Sequence, residues 1–390
     1  MITIIFSEAF LCFSSTRPRE NGKPKNSEKN IVIKNGLCYN VNRKIQTEST
    51  YKMKTKRIAL LLIITLLFSL TACSGSQPDT TGGLRIVTTN FALYDFASAV
   101  CGENDTVILL LPLGTESHDY EVTLKDMALL EKCDVLFYVG GENESWVHDA
   151  LHSLEEYNCA PRSLSALDVI CDAGKLLCEE SLNSLSPEEA HSHDHDHHHD
   201  HHHDHTDAYA GMDEHVWTAI PNAILLMDAF DDILAELDEN HVQDTHADYA
   251  ASLTALDAKF RALTAAVPSP RIIVADRFPF LYMAKEYGIG YYAAFAGCAS
   301  DTEPSVAIVD TLIRQVRDSG VKNLFVIEFS NRKTADLIAG ETGVNTAELH
   351  SCHNVSAAEF QAGITYLDLM ERNYSALASA WETADSTIPN

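Results

Sequence analysis

Short apolar runs alternate with amphipathic stretches twice along this chain, and that alternation restricts the fold more than any other feature. Residues 84–89, 107–112 and 134–140 are predicted as buried parallel strands, with helices around 92–100 and 123–131 between them. Residues 271–275, 290–294 and 323–329 repeat the pattern, with helices near 279–287, 304–318 and 332–342. A strand that is apolar along its whole length needs cover on both faces, which strand-helix-strand connections supply. The expected fold is therefore α/β, with two (β/α) lobes that each hold a parallel sheet.

The region between the two sets carries helical spacing without strands. Leu226, Phe230, Ile233 and Leu237 follow Pro221, a residue suited to the first turn of a helix. Tyr249, Leu253, Leu256, Phe260 and Leu263 then fall on one helical face. The expected boundaries are an N-terminal lobe over 84–241, a linking helix over 242–267 and a C-terminal lobe over 268–390. A long connecting helix would hinder the wide hinge motion that flexible crossing strands permit.

The N-terminal part reads as targeting sequence. Met53-Lys54-Thr55-Lys56-Arg57 is a basic opening, the apolar run 58–70 is too short for a comfortable membrane span, and Leu70-Thr71-Ala72-Cys73 resembles a bacterial lipobox. On that reading residues 1–52 are a non-native upstream extension, 53–72 the lipoprotein signal peptide, Cys73 the lipidated terminus and 73–83 a tether. Export permits disulfides, but the cysteines beyond Cys73 are odd in number, so at least one is free or pairs with another chain. The formal charge of -28 attracts cations and repels nucleic acid, and no basic, aromatic surface is evident.

Inside the first lobe, residues 186–212 form a predicted surface insertion dominated by His191, His193, His195, His197, His198, His199, His201, His202, His203 and His205, interleaved with aspartates. Imidazole and carboxylate together favour divalent cations. With no apolar residue to bury between His191 and His205, the tract has no means of fixing its ligands, so it is expected to be an auxiliary, low-affinity collector.

A site of fixed geometry belongs beyond the carboxyl ends of strands. Four segments qualify: residues 112–121 with Glu116 and His118, residues 213–217 with His215, residues 275–280 with Asp276, and residues 348–353 with His350 and His353. At these residues the chain resembles the solute-binding proteins of zinc and manganese ABC importers, in their zinc branch. Residues 112–121 look like that family's first-ligand loop, Asp213-Glu214-His215-Val216-Trp217 like its Asp-x-His-x-Trp motif, and Glu303-Pro304-Ser305 like its Glu-Pro-Ser helix start. A His- and Asp-rich loop before the second ligand is also a habit of the zinc members.

The resemblance implies a metal site in the cleft between the lobes, with His118 and His215 as ligands. Where the family commonly has a third histidine this chain has Asp276-Arg277, so Asp276 is either a substitute ligand or a salt-bridge or capping residue before Pro279. The final ligand position falls near His350, with His353 as an alternative, and Glu116 is an extra oxygen ligand or a partner orienting His118. Cys298 and Cys352 are a candidate disulfide, or two buried thiols.

Imidazoles with a carboxylate or water suit Zn²⁺, whereas Mn²⁺ favours more oxygen ligands. The implied function is extracytoplasmic capture of Zn²⁺ by a monomeric lipoprotein, anchored to the bacterial cell membrane, and delivery to the permease of a zinc ABC importer. The chain has no Gly-x-x-x-x-Gly-Lys-Ser/Thr loop, as suits a binding component that is not an enzyme. Two rivals remain open at this level: a secreted zinc-dependent hydrolase, and a metal buffer or adhesin acting through the histidine loop.

Overall fold

The computed structural model describes residues 83–115, 120–179, 209–242, 245–298 and 303–381, together with the backbone of 33–34 and 37–38. The chain divides into two units, Met1–Thr80 and Thr81–Asn390. In the first, β1 (Ile33–Lys34) pairs antiparallel with β2 (Leu37–Cys38). The expected signal peptide, Cys73 and the expected tether up to residue 82 lie outside the described residues.

The second unit opens with β3 (Arg85–Thr88), α1 (Phe91–Val100), β4 (Thr106–Leu109), α2 (Leu124–Leu130), β5 (Val135–Tyr138), α3 (Ser145–Glu156), β6 (Arg162–Ser165) and α4 (Ala166–Asp172). A 3-10 turn, Val216–Thr218, leads into α5 (Ile220–Leu237), and α6 (Ala247–Ala266) follows. Then come β7 (Arg271–Val274), α7 (Leu281–Tyr287), β8 (Gly290–Ala293), α8 (Val306–Ser319), β9 (Asn323–Val326), α9 (Lys333–Thr342), β10 (Asn345–Glu348), α10 (Ala357–Gln361) and α11 (Tyr366–Trp381).

Strands β3 to β6 form one parallel sheet in the order β4-β3-β5-β6, and β7 to β10 form another in the order β10-β9-β7-β8. The two orders are the same walk: the second strand of each set lies on one side of the first, and the third and fourth on the other. Such a reversal opens a crevice at the carboxyl ends of the first and third strands. Two expected lobes with parallel sheets are thus present. β6 (Arg-Ser-Leu-Ser) and β10 (Asn-Thr-Ala-Glu) escaped the pattern because, unlike the other two edge strands, β4 and β8, they carry no apolar run. The strand expected over 323–329 stops at Val326, and Phe329 takes a positive φ of 59°.

Local chemistry sets the helix starts. Asn90 caps α1 by accepting the Leu93 N–H at 2.9 Å, Thr123 and Asp126 form a capping box on α2, and Pro221 occupies the first turn of α5 as expected.

One buried core runs through both lobes. It joins Ile86 and Phe137 of the first sheet to Ile272 and Phe325 of the second through Trp217, Phe230, Phe260 and Tyr366. Phe137 stacks on Phe230 at 5.0 Å and Phe96 meets Tyr366 edge-on at 4.9 Å. Besides α6, the returning helix α11 packs on α1 and α6, so the lobes are tied twice. A wide hinge motion would have to expose this shared apolar surface to water.

Candidate metal centre

The histidine-rich insertion leaves and rejoins the lobe at one place. Cys178 and Met212 form an isolated antiparallel bridge, and the Asp213 N–H donates to the Leu177 carbonyl at 2.9 Å. The next three residues turn in different directions. Asp213 Oδ1 accepts the His215 N–H at 2.9 Å and lies 3.2 Å from His215 Nδ1, with both side chains almost fully buried. A proton on Nδ1 directed at that carboxylate leaves the Nε2 lone pair for a cation. Burial pushes the His215 pKa down, but Asp213 and Cys298 outweigh it and hold it well above the ordinary value. A cation must therefore displace a proton to use this ring.

Glu214 faces away from His215, into the first lobe, and locks the segment there. Its carboxylate accepts the Asn143 N–H at 3.0 Å and Nδ2 at 2.9 Å. Gly141 makes room for it: a Cβ there would lie 2.5 Å from Glu214 Oε1, on a backbone with φ of +85°. Tyr282, on α7 of the other lobe, donates its hydroxyl to the Asp213 carbonyl at 3.0 Å.

The lobes enclose a cavity of about 30 Å³ lined by Thr115 and His215 from the first lobe and by Arg277, Gly297, Glu328 and His353, among others, from the second. That is room for an ion or one or two waters. Arg277 follows β7 and Glu328 follows β9, the first and third strands of the second sheet, where the crevice opens. Glu328 is nearly buried and accepts the Ser351 N–H at 2.7 Å and also the Ser351 hydroxyl. The His353 ring stands edge-on to His215 at 5.7 Å and to Trp217 at 5.0 Å. Its loop is bolted to the first lobe: the His353 carbonyl accepts the Phe91 N–H at 2.8 Å, and Asn354 Nδ2 donates to the carbonyls of Pro112 and Thr115, both at 2.8 Å.

His215 stands where the sequence expects it, on the cleft wall. His118, Glu116 and the tract from His191 to His205 lie outside the described residues. Asp276 does not line the cavity; its Oδ1 accepts the Arg277 N–H at 3.0 Å, and Arg277 faces the cleft instead. His350 is not among the residues that line the cavity. It is 3% exposed, its backbone is clasped by Asn373, and its Nδ1 accepts the Cys352 N–H at 2.9 Å. Its Nδ1 is thereby engaged and its buried Nε2 has no hydrogen-bond partner, but the ring does not line the cavity; the alternative, His353, does.

The proposed Cys298–Cys352 disulfide is not formed, and both thiols are free. Cys352 is sealed in the shared core, with Sγ 3.7 Å from the His350 carbonyl, while Cys298 lies beside His215. Glu328 was missed because the apolar run before it was read as a strand continuing to residue 329; a carboxylate just past a buried run is the signal that would have found it.

Comparison with known proteins agrees with the two-lobed fold. The family described as "ZnuA: Zinc-uptake complex component A periplasmic" matches residues 86–380. The zinc-binding lipoprotein AdcA of Streptococcus pneumoniae is 30% identical over 338 residues, 86% of this chain and 62% of its own length. The high-affinity zinc uptake system protein ZnuA of Bacillus subtilis is 30% identical over 334 residues, covering 83% of this chain and 97% of that protein. The chain thus spans about three fifths of the streptococcal relatives and nearly all of the Bacillus one. The Zn(II)-bound ZnuA-like domain of S. pneumoniae AdcA superposes with a TM-score of 0.60 at 24% identity, over 77% of this chain and 100% of that domain. With the sequence match running through both lobes and the cleft, the chain belongs to the ZnuA family of periplasmic zinc-uptake components.

Proposed function

We propose that this protein captures Zn²⁺ outside the cytoplasm and hands it to the permease of a high-affinity zinc ABC importer. The observation that carries the reading is His215: a buried imidazole, oriented by Asp213, on a cavity that also presents His353 and Glu328. Nitrogen and oxygen donors around a small cleft suit Zn²⁺ held by several protein ligands, as a binding protein requires. His118, on the loop after β4, is proposed to complete the ligand set, with Glu116 as its partner or a further oxygen donor. Cys73 is proposed to carry the lipid that keeps the monomer at the membrane, and the histidine tract to collect metal at low affinity beside the cleft.

The relatives' names support the metal and the transport role. Zinc titration of the full chain against a chelating indicator tests it. One tight site is expected, retained when residues 186–212 are deleted and lost in His215→Ala. Loss of the tight site with the loop, or its persistence in His215→Ala, would overturn the assignment.

A further inference from the structure

Asp213, His215 and Cys298 each offer a ligand atom, and the three atoms lie within 4.8 Å of one another. Asp213 spends Oδ1 on the His215 backbone and ring, so within the trio the imidazole and the thiol face each other as nitrogen and sulfur donors. The chain brings Cys298 there deliberately. It follows β8, its N–H is held by Glu179 Oε1 at 2.7 Å, and Gly297 before it passes so close that a Cβ would lie 3.1 Å from His215 Nδ1 and 2.9 Å from the Phe278 carbonyl. Any side chain at residue 297 would push Cys298 off the histidine.

Tetrahedral zinc with bonds of roughly 2.0–2.3 Å sets neighbouring ligand atoms about 3.3–3.8 Å apart, so closing this pair by about 1.5 Å or less would bring it onto one ion. The second lobe also presents Arg277 rather than a ligand on the cleft wall after β7, so that strand end supplies no donor.

We infer that Cys298 is a thiolate ligand of the ion held by His215, making the centre a mixed sulfur, nitrogen and oxygen site. This rests on the zinc-capture reading above. On binding, the thiol gives its proton to solvent and the sulfur lone pair forms the metal bond, with no change of oxidation state. A soft sulfur donor tilts selectivity toward Zn²⁺ and Cd²⁺ and away from Mn²⁺.

The test loads the full chain with Co²⁺ and records the near-ultraviolet thiolate-to-cobalt charge-transfer band, which the histidine tract cannot produce. The band is expected in the unaltered protein and absent in Cys298→Ser, with Zn²⁺ affinity falling more than about 10-fold and the preference for Cd²⁺ over Mn²⁺ reduced. In the unaltered protein, Zn²⁺ should also shield Cys298 from alkylation, as read by peptide mass mapping, a measurement that needs no variant. Stoichiometric cobalt binding without the band, a band that survives in Cys298→Ser, or equal alkylation with and without Zn²⁺ would overturn the inference. Absence of any tight metal binding would instead bring down the zinc-capture reading itself.

Discussion

Trp217→Phe is the sharpest probe of how the two lobes are held around the cleft. The indole is fully buried, its Nε1 donates to the Ser351 carbonyl at 2.8 Å, and its own carbonyl accepts the Tyr366 hydroxyl at 2.6 Å. Phenylalanine keeps most of the apolar surface but removes the donor, leaving a carbonyl without a partner at a residue only 4% exposed. An unsatisfied buried acceptor costs about 1–3 kcal/mol. The missing ring atoms add about 1 kcal/mol of lost burial and cavity, for a total of roughly 2–4 kcal/mol. At about 2 °C per kcal/mol for a domain of this size, the melting temperature should fall by roughly 4–8 °C.

The loss should reach the site as well. Ser351 holds Glu328 through its N–H and hydroxyl, and His353 rests on the indole, so Zn²⁺ affinity should drop by about 10-fold. Circular-dichroism melts and a chelator competition on the same preparation measure both effects. A stability change below about 0.5 kcal/mol together with unchanged affinity would refute the claim that this hydrogen bond couples the lobes to the cleft.

Asp213→Asn keeps the shape but removes the charge beside His215 Nδ1; Zn²⁺ affinity should fall by about 10–100-fold in the same titration, with folding retained. Gly141→Ala places a methyl 2.5 Å from Glu214 Oε1 on a left-handed backbone, and urea unfolding should show a loss of about 1–3 kcal/mol. Asp95 gives a pH signature: burial pushes its carboxyl from 3.8 up to about 6, with the Tyr249 hydroxyl and the Tyr366 N–H pulling partly back. The folded state therefore holds this proton more tightly than the unfolded chain. Stability from this group rises as pH falls through about 6 toward 4, and its ionised form costs about 3 kcal/mol at neutral pH. Asp95→Asn should flatten that rise in urea midpoints taken at pH 7 and at pH 4.5, and an unchanged pH slope would contradict it.

How much of this was legible in the chain follows from which features are local. The six apolar runs gave the two lobes and their parallel sheets, because the central strands show their burial in their own residues and the edge strands β4 and β8 still carry apolar runs. His215 could be found the same way, since its orienting carboxylate stands two residues before it. Strands β6 and β10 were illegible because their own residues carry no apolar run, and only pairing with β5 and β9 makes them strands.

The remaining cleft residues were a tertiary decision. His350 and His353 are three positions apart in one loop, and nothing in their spacing says which faces the cavity. Asn373 and the Cys352 N–H hold the first in the core, while Phe91 and the Asn354 contacts with the opposite lobe turn the second outward. Cys298 meets His215 only because the loop after β8 and the turn before α5 converge across the lobes. The sequence alone determined the lobes, their parallel sheets and the strand ends where a cation could sit. The tertiary structure decided which donors reach it, because side-chain direction in a loop is set by hydrogen bonds to distant residues and carries no period that a sequence can display.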